Sequence, residues 1–252
     1  MIGVFDSGVG GLSVLTEIRK TLPDANLLYV ADRARAPYGT RTLAEVESIS
    51  QEVAGWLRAQ GATCLVVACN TASAAALESL RSAHPDLPVV GMEPAVKPAA
   101  AITRSRKVAV LATAATFQGR LYESVVSRFA IGVEVVTRAC PQWVEMVEAG
   151  VIGGDSADAA VADVVDPLVA TGVDVIVLAC THFAFLRDLI ASRSGLEVID
   201  PAPAVAAQVA RVAPGAQEQR TVSLAASGDT GAFSRLARAL ASIDEPVIPF
   251  AP

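Results

Sequence analysis

Lysine is nearly missing from this chain: Lys20, Lys97 and Lys107 are its whole complement, and none sits in an evident site. A pyridoxal cofactor needs a dedicated lysine beside a phosphate cradle, so cofactor-free chemistry is favoured. Aromatic residues make up only 5% and charged residues 18%, against a hydrophobic fraction of 52%. The core must therefore be built from Ala, Val, Leu and Ile, and a disordered chain is excluded. No apolar stretch reaches the roughly 18 residues of a membrane span. No basic segment leads into an apolar N-terminal run, so a signal peptide is not expected. Positive charge is scarce too: 20 Lys and Arg stand against 26 Asp and Glu, a net charge of -6. Nucleic acid would ask for a concentrated basic stripe, and none is present. The four cysteines (64, 69, 140 and 180) lack the dense spacing of a disulfide framework. Reduced thiols and a cytoplasmic location are the expectation.

What the chain does have is a repeated device. Leu65-Val66-Val67-Ala68-Cys69-Asn70-Thr71-Ala72 reads as a buried strand running out into a cysteine and two small polar residues. Val175-Ile176-Val177-Leu178-Ala179-Cys180-Thr181-His182 echoes it. A parallel strand buried on both faces is a continuous apolar run. Residues just beyond its carboxyl end face the ligand crevice. Two such cysteines suggest paired thiol chemistry across a shared cleft.

Around these runs, strands and helices alternate. Strands are expected at 2–5, 27–30, 64–68, 87–91, 107–113, 133–137, 174–179, 197–199 and 221–225. Helices are expected over 12–19, 43–60, 72–82, 142–149, 157–170, 183–193, 204–213 and 230–240. Another begins near Phe117 with Thr116 as its N-cap. A loop should join Ala213 to Thr221, and the tail after Ile243 reads as extended or frayed. This alternation predicts an α/β fold of two similar domains, with mainly parallel sheets flanked by helices. Proline-rich crossovers at 92–98 and 200–203 place the first domain at 1–92 plus 204–252. The second is then 93–203, with the active site in the cleft between them.

Several candidate residues cluster at strand ends. Asp6-Ser7-Gly8-Val9-Gly10-Gly11 follows the first strand and resembles an anion cradle, although its spacing is not the dinucleotide pattern. A plain tight turn with Asp6 capping the next helix reads equally well. Pro37-Tyr38-Gly39-Thr40 forms a loop with hydrogen-bonding side chains. Glu148 falls late in its helix, where the helix dipole disfavours a carboxylate. Cys64 reads as a core filler. Thiols have ordinary pKa values of about 8.5 and serve as acids and bases when tuned. Paired acid/base chemistry, a single nucleophilic cysteine and inert core cysteines all remain open on these grounds. Cys180-x-His182 supplies only two metal ligands, short of a tetrahedral set, so no metal site is assigned.

The ordered motifs resemble the bacterial glutamate racemase family. They are Asp6 to Gly11, Ala31-Asp32 with Pro37-Tyr38-Gly39, Ala68 to Ala72, Gly91 to Pro98, Cys140-Pro141, Ala179 to His182, and Ser227-Gly228-Asp229. The resemblance spans nearly the whole chain. It implies cofactor-independent interconversion of L- and D-glutamate, supplying D-glutamate for peptidoglycan. Cys69 would take the α-proton of D-glutamate and Cys180 that of L-glutamate. Asp6 would assist Cys69, while His182, supported by Glu148, would assist Cys180. Substrate contacts would come from Ser7, Asp32, Tyr38, Gly39, Thr40, Asn70, Thr71, Thr113, Thr116 and Thr181. A homodimer is implied as well. The alternatives are a racemase of aspartate or another acidic amino acid, and a non-catalytic small-anion-binding protein. The chain departs from the common family form at Thr40, Phe117-Gln118-Gly119, Phe183-Ala184-Phe185 and Asp200-Pro201.

Overall fold

Apolar runs that end in small or polar residues make short buried strands, and the amphipathic segments between them make the covering helices. The computed structural model describes residues 1–213 and 221–251. The loop expected between Ala213 and Thr221 lies outside the described residues. The chain opens with β1 (Ile2–Asp6), α1 (Leu12–Thr21), β2 (Leu27–Ala31), α2 (Leu43–Ala59), β3 (Cys64–Val67), α3 (Asn70–Ala83) and β4 (Val89–Gly91). It continues through α4 (Val96–Ile102), β5 (Lys107–Ala112), α5 (Ala114–Gln118), α6 (Arg120–Phe129), β6 (Glu134–Ala139), α7 (Pro141–Glu148) and α8 (Asp155–Ala170). Then follow β7 (Val175–Ala179), a 3₁₀ turn (Thr181–Leu186), α9 (Arg187–Ser194) and β8 (Glu197–Ile199). The chain closes with α10 (Ala202–Val212), β9 (Val222–Ala226), α11 (Thr230–Ala241) and β10 (Val247–Pro249). No described helix is long and apolar enough to cross a membrane.

The strands form a six-stranded sheet, β10-β9-β2-β1-β3-β4, and a four-stranded sheet, β6-β5-β7-β8. Every pairing among the described residues is parallel. The order β2-β1-β3-β4 recurs as β6-β5-β7-β8, so the two lobes are built alike. In each, the first strand is flanked on one side by the second and on the other by the third. That reversal is the switch point where open α/β sheets bind ligands. Asp6 ends β1 and Cys69 follows β3 at the first switch point, and Thr113 and Cys180 follow β5 and β7 at the second. The six-stranded sheet takes its strands from residues 2–91 and 222–249, and the four-stranded sheet from residues 107–199.

Some local expectations are corrected. The crossover at 92–98 is not all loop, because α4 begins at Val96. Pro98 falls in its first turn, where a missing N–H breaks no helical bond. Thr113, not Thr116, caps α5: its side chain accepts from Thr116 N. The segment after Cys180 first winds as a 3₁₀ turn and becomes α-helical only at Arg187. Of the two alternatives for the tail, the extended one holds: Val247–Pro249 pairs with β9.

The departures at Phe117 and Phe183 are absorbed as packing. Phe117 meets Tyr122 edge-on at 5.0 Å. Phe183, fully buried, meets Trp143 edge-on at 5.1 Å and clamps α7 to the 3₁₀ turn. Trp143 is fixed in turn by its indole N–H, which donates to the Ala160 carbonyl at 3.1 Å. Replacing Phe183 with Ala should therefore lower the unfolding free energy by about 3–5 kcal/mol. A urea titration checks this, with a lower midpoint at unchanged slope as the expected result.

Candidate active site

A cavity of about 470 Å³ lies between the lobes. The first lobe contributes Ser7, Pro37, Tyr38, Gly39, Thr40, Arg41, Cys69, Asn70 and Thr71. The second contributes Thr113, Gln118, Val144, Glu145, Cys180, Thr181 and His182. Both echo-motif cysteines thus line one cavity. Cys64 and Cys140 do not; burial pushes their thiols up to about 11 and about 12.

Cys69 is the N-cap of α3, and its sulfur accepts from the Ala72 N–H at 3.5 Å. Helix N-termini favour a thiolate, but here burial, and then the charge of Asp6, push the thiol well above its ordinary value. At rest Cys69 carries its proton. The next residue, Asn70, has both side-chain amide atoms buried without a protein partner. A buried amide left unpaired costs stability unless a ligand satisfies it. Thr71 lies across from the second lobe, its hydroxyl 2.9 Å from that of Thr113 and 3.3 Å from that of Thr116.

On the opposite wall, Cys180 Sγ lies 3.8 Å from His182 Nδ1. His182 Nε2 lies 2.8 Å from Glu148 Oε1. Burial alone would disfavour the imidazolium, but Cys180 and Glu148 outweigh it and hold His182 well above the usual histidine range. Burial likewise opposes the Glu148 carboxylate, yet His182, the Val9 N–H and Arg33 together hold it below the usual carboxylate range. The loop after β1 presses on this pair. A methyl group at Gly8 would collide with Glu148 Oε1, and one at Gly10 with His182 Nδ1.

Four expected site residues stand behind the cavity wall rather than in it: Asp6, Asp32, Thr116 and Glu148. Asp6 does not cap α1, which lacks a side-chain cap. Its Oδ1 accepts from Gly8 N at 2.8 Å and Ser7 Oγ at 3.3 Å, and its Oδ2 accepts from Thr181 Oγ1 at 2.9 Å. Its bonds therefore orient the two wall hydroxyls. Asp32, expected as a substrate contact, is fully buried. Its carboxylate accepts from Tyr38 Oη at 2.6 Å, Arg35 Nε at 2.7 Å and Ser227 Oγ at 2.8 Å. Those bonds consume it, so it fixes Tyr38 instead. Thr116 sits beneath Thr71 and Thr113. Sequence reasoning missed Arg33, which reaches Glu148 from the other lobe at 3.2 Å. The available signal was its place immediately after a strand-end aspartate. Arg41, Gln118 and Glu145 of the wall carried no such signal.

The profile of the Asp/Glu/Hydantoin racemase family matches residues 2–209. The chain belongs to that family. Among curated members of this racemase family, a glutamate racemase from Roseiflexus sp. is 50% identical over 213 residues, covering 84% of this chain and 78% of that protein. Among solved structures, glutamate racemase isoform RacE1 from Bacillus anthracis has a TM-score of 0.87 at 29% identity, covering 100% of this chain and 97% of that one. The Escherichia coli glutamate racemase, in complex with L-glutamate and the activator UDP-MurNAc-ala, has a TM-score of 0.87 at 31% identity, covering 98% and 96%. Two like α/β lobes of parallel strands are thus this racemase family's architecture.

The His182–Glu148 pair has a defined pH signature. Glu148 is depressed, so its contribution is complete above its unfolded value of about 4.3 and fades as pH falls through the folded value. His182 is raised, so its contribution is complete below about 6.5 and fades as pH rises through the folded value. The stability difference between the native protein and E148Q should therefore be largest between about pH 4.3 and 6.5 and shrink on both sides. Urea midpoints measured from well below pH 4.3 to well above pH 6.5 check the expectation, and a difference that stays flat over that whole span would contradict it.

Proposed function

We propose that this protein interconverts L- and D-glutamate by two-cysteine acid/base chemistry, without a cofactor. The observation that carries the reading is the placement of Cys69 and Cys180 at equivalent switch points of two like sheets, facing one cavity. The names of the curated relatives and the L-glutamate held by the Escherichia coli structure support the choice of substrate.

In the L-to-D direction, the Cys180 thiolate takes the α-proton of L-glutamate. Cys69, protonated at rest, delivers its own proton to the opposite face. The reverse direction exchanges the roles. His182 lies within reach of the Cys180 sulfur and can share its proton, while Glu148 holds the imidazole in place. Abstraction pushes charge from the α-carbon into the α-carboxylate, where preorganised donors are worth most. The unpaired Asn70 amide suits that duty, as do the first N–H groups of α3. Tyr38 Oη and Thr40 Oγ1 already donate to Asp32 and the Pro37 carbonyl, leaving their lone pairs free for the substrate ammonium. Ser7, Gly39, Thr71, Thr113 and Thr181 complete the proposed substrate contacts. Thr116 acts through Thr71 and Thr113.

On this reading the protein supplies D-glutamate for peptidoglycan, acts in the cytoplasm and forms a homodimer. The four unpaired cysteines support a reducing compartment.

The purified protein should racemise both glutamate enantiomers and carry solvent deuterium into the α-position. Aspartate, tested in parallel, separates the neighbouring specificity. C69S and C180S should each lower kcat by roughly 100- to 10,000-fold, the usual worth of a positioned acid or base. Absence of α-exchange with either glutamate enantiomer would overturn the reading, as would full activity in both variants.

A further inference from the structure

Glu148 occupies a poor place for a carboxylate. It is the last residue of α7, where unpaired carbonyls make the helix end electronegative. Three groups offset this. Val9 N–H and His182 Nε2 meet Oε1 at 2.7 and 2.8 Å, and Arg33 Nε meets Oε2 at 3.2 Å. Two of the three come from the other lobe.

Arg33 itself stands on a rigid base. Asp32 before it is locked by Tyr38, Arg35 and Ser227. Ala34 after it donates its N–H to Ser227 Oγ at 2.9 Å. The Arg33 and Glu148 side chains are each only 19% exposed, so their pairing escapes much of the screening that weakens surface pairs. They share a second cavity of about 430 Å³ with Glu145 and Asp229. Pro37, Val144 and Glu145 line both this cavity and the first.

We infer that Arg33 is a positioning residue for proton transfer on the Cys180 side: by holding Glu148 Oε2 it turns Oε1 toward His182 and so fixes the imidazole against the sulfur. The inference rests on the two-cysteine racemisation proposed above. The last torsion of a glutamate is broad, and Val9 alone holds only one oxygen. Without Arg33 the carboxylate is free to turn, and His182 loses a fixed acceptor. A merely structural ion pair would change stability and leave the relative heights of the two proton-transfer steps unaltered.

That difference is measurable. Enantiomers have equal free energies, so kcat/KM must fall equally in both directions for any variant. The α-deuterium isotope effects need not move together. Deuterated L-glutamate reports the Cys180 step, and deuterated D-glutamate reports the Cys69 step. R33Q should lower kcat/KM by roughly 10- to 100-fold, as small misplacements of catalytic groups do. It should also raise the isotope effect from L-glutamate and lower that from D-glutamate. R33K, which keeps the charge but not the planar guanidinium, should shift both in the same directions by less, and it serves alone if R33Q does not fold. A native protein that fails to racemise glutamate defeats the functional reading and the inference with it. A native protein that racemises, with variants that keep its rate or lose rate with both isotope effects unchanged, overturns the inference alone.

Discussion

The loop after β1 is pressed hard against His182 and Glu148 of the other lobe, and the site depends on that contact. Gly8 and Gly10 have no side chain because the other lobe fills that space. Nothing larger than hydrogen fits, so the backbone itself becomes a ligand of the carboxylate through the Val9 N–H. The same few residues carry Asp6, whose buried oxygen holds Thr181 of the second lobe. One short turn therefore sets the height of both lobes above a common floor. Side chains alone would do this less well, because each would bring rotamer freedom of its own.

The two thiols are held by unlike means. Cys69 is governed by backbone and burial: it caps a helix, and the nearby charge of Asp6 keeps its proton on. Cys180 is governed by a side-chain partner, an imidazole stiffened by a carboxylate. A substrate mirrored from one hand to the other thus meets a non-mirrored protein. On the proposed two-thiol reading, the two proton-transfer steps have no physical reason to share a barrier height, although the overall equilibrium between enantiomers is symmetric.

Much of this was legible in the sequence. Continuous apolar runs ending in Cys-Asn-Thr and Cys-Thr-His are visible without a structure, because a parallel strand buried on both faces leaves no room for polar alternation. What the runs did not disclose was side-chain direction. Asp32 and Ser7 both follow strand ends, yet Ser7 faces the cavity while Asp32 turns back to Tyr38 and Ser227. Thr116 was expected to cap the helix at Phe117, but the backbone turns helical three residues earlier and Thr113 takes that place. Arg33 was hidden for a plainer reason: its partner lies 115 positions away, across the lobe boundary. The β10 pairing escaped because Pro246 precedes it and Pro249 ends it, and proline is confined to edge strands such as this one.

Cys69 follows a strand of the six-stranded sheet and Cys180 a strand of the four-stranded one. Each lies within two residues of the end of a buried central strand, so the backbone that carries each sulfur goes with its own sheet. Any swing that parts the lobes to admit or release a ligand also draws the two sulfurs away from each other. On the two-thiol reading proposed above, entry of water and separation of the thiols would then be one event, so an anion formed between the lobes would be shielded from bulk solvent whenever both faces are guarded.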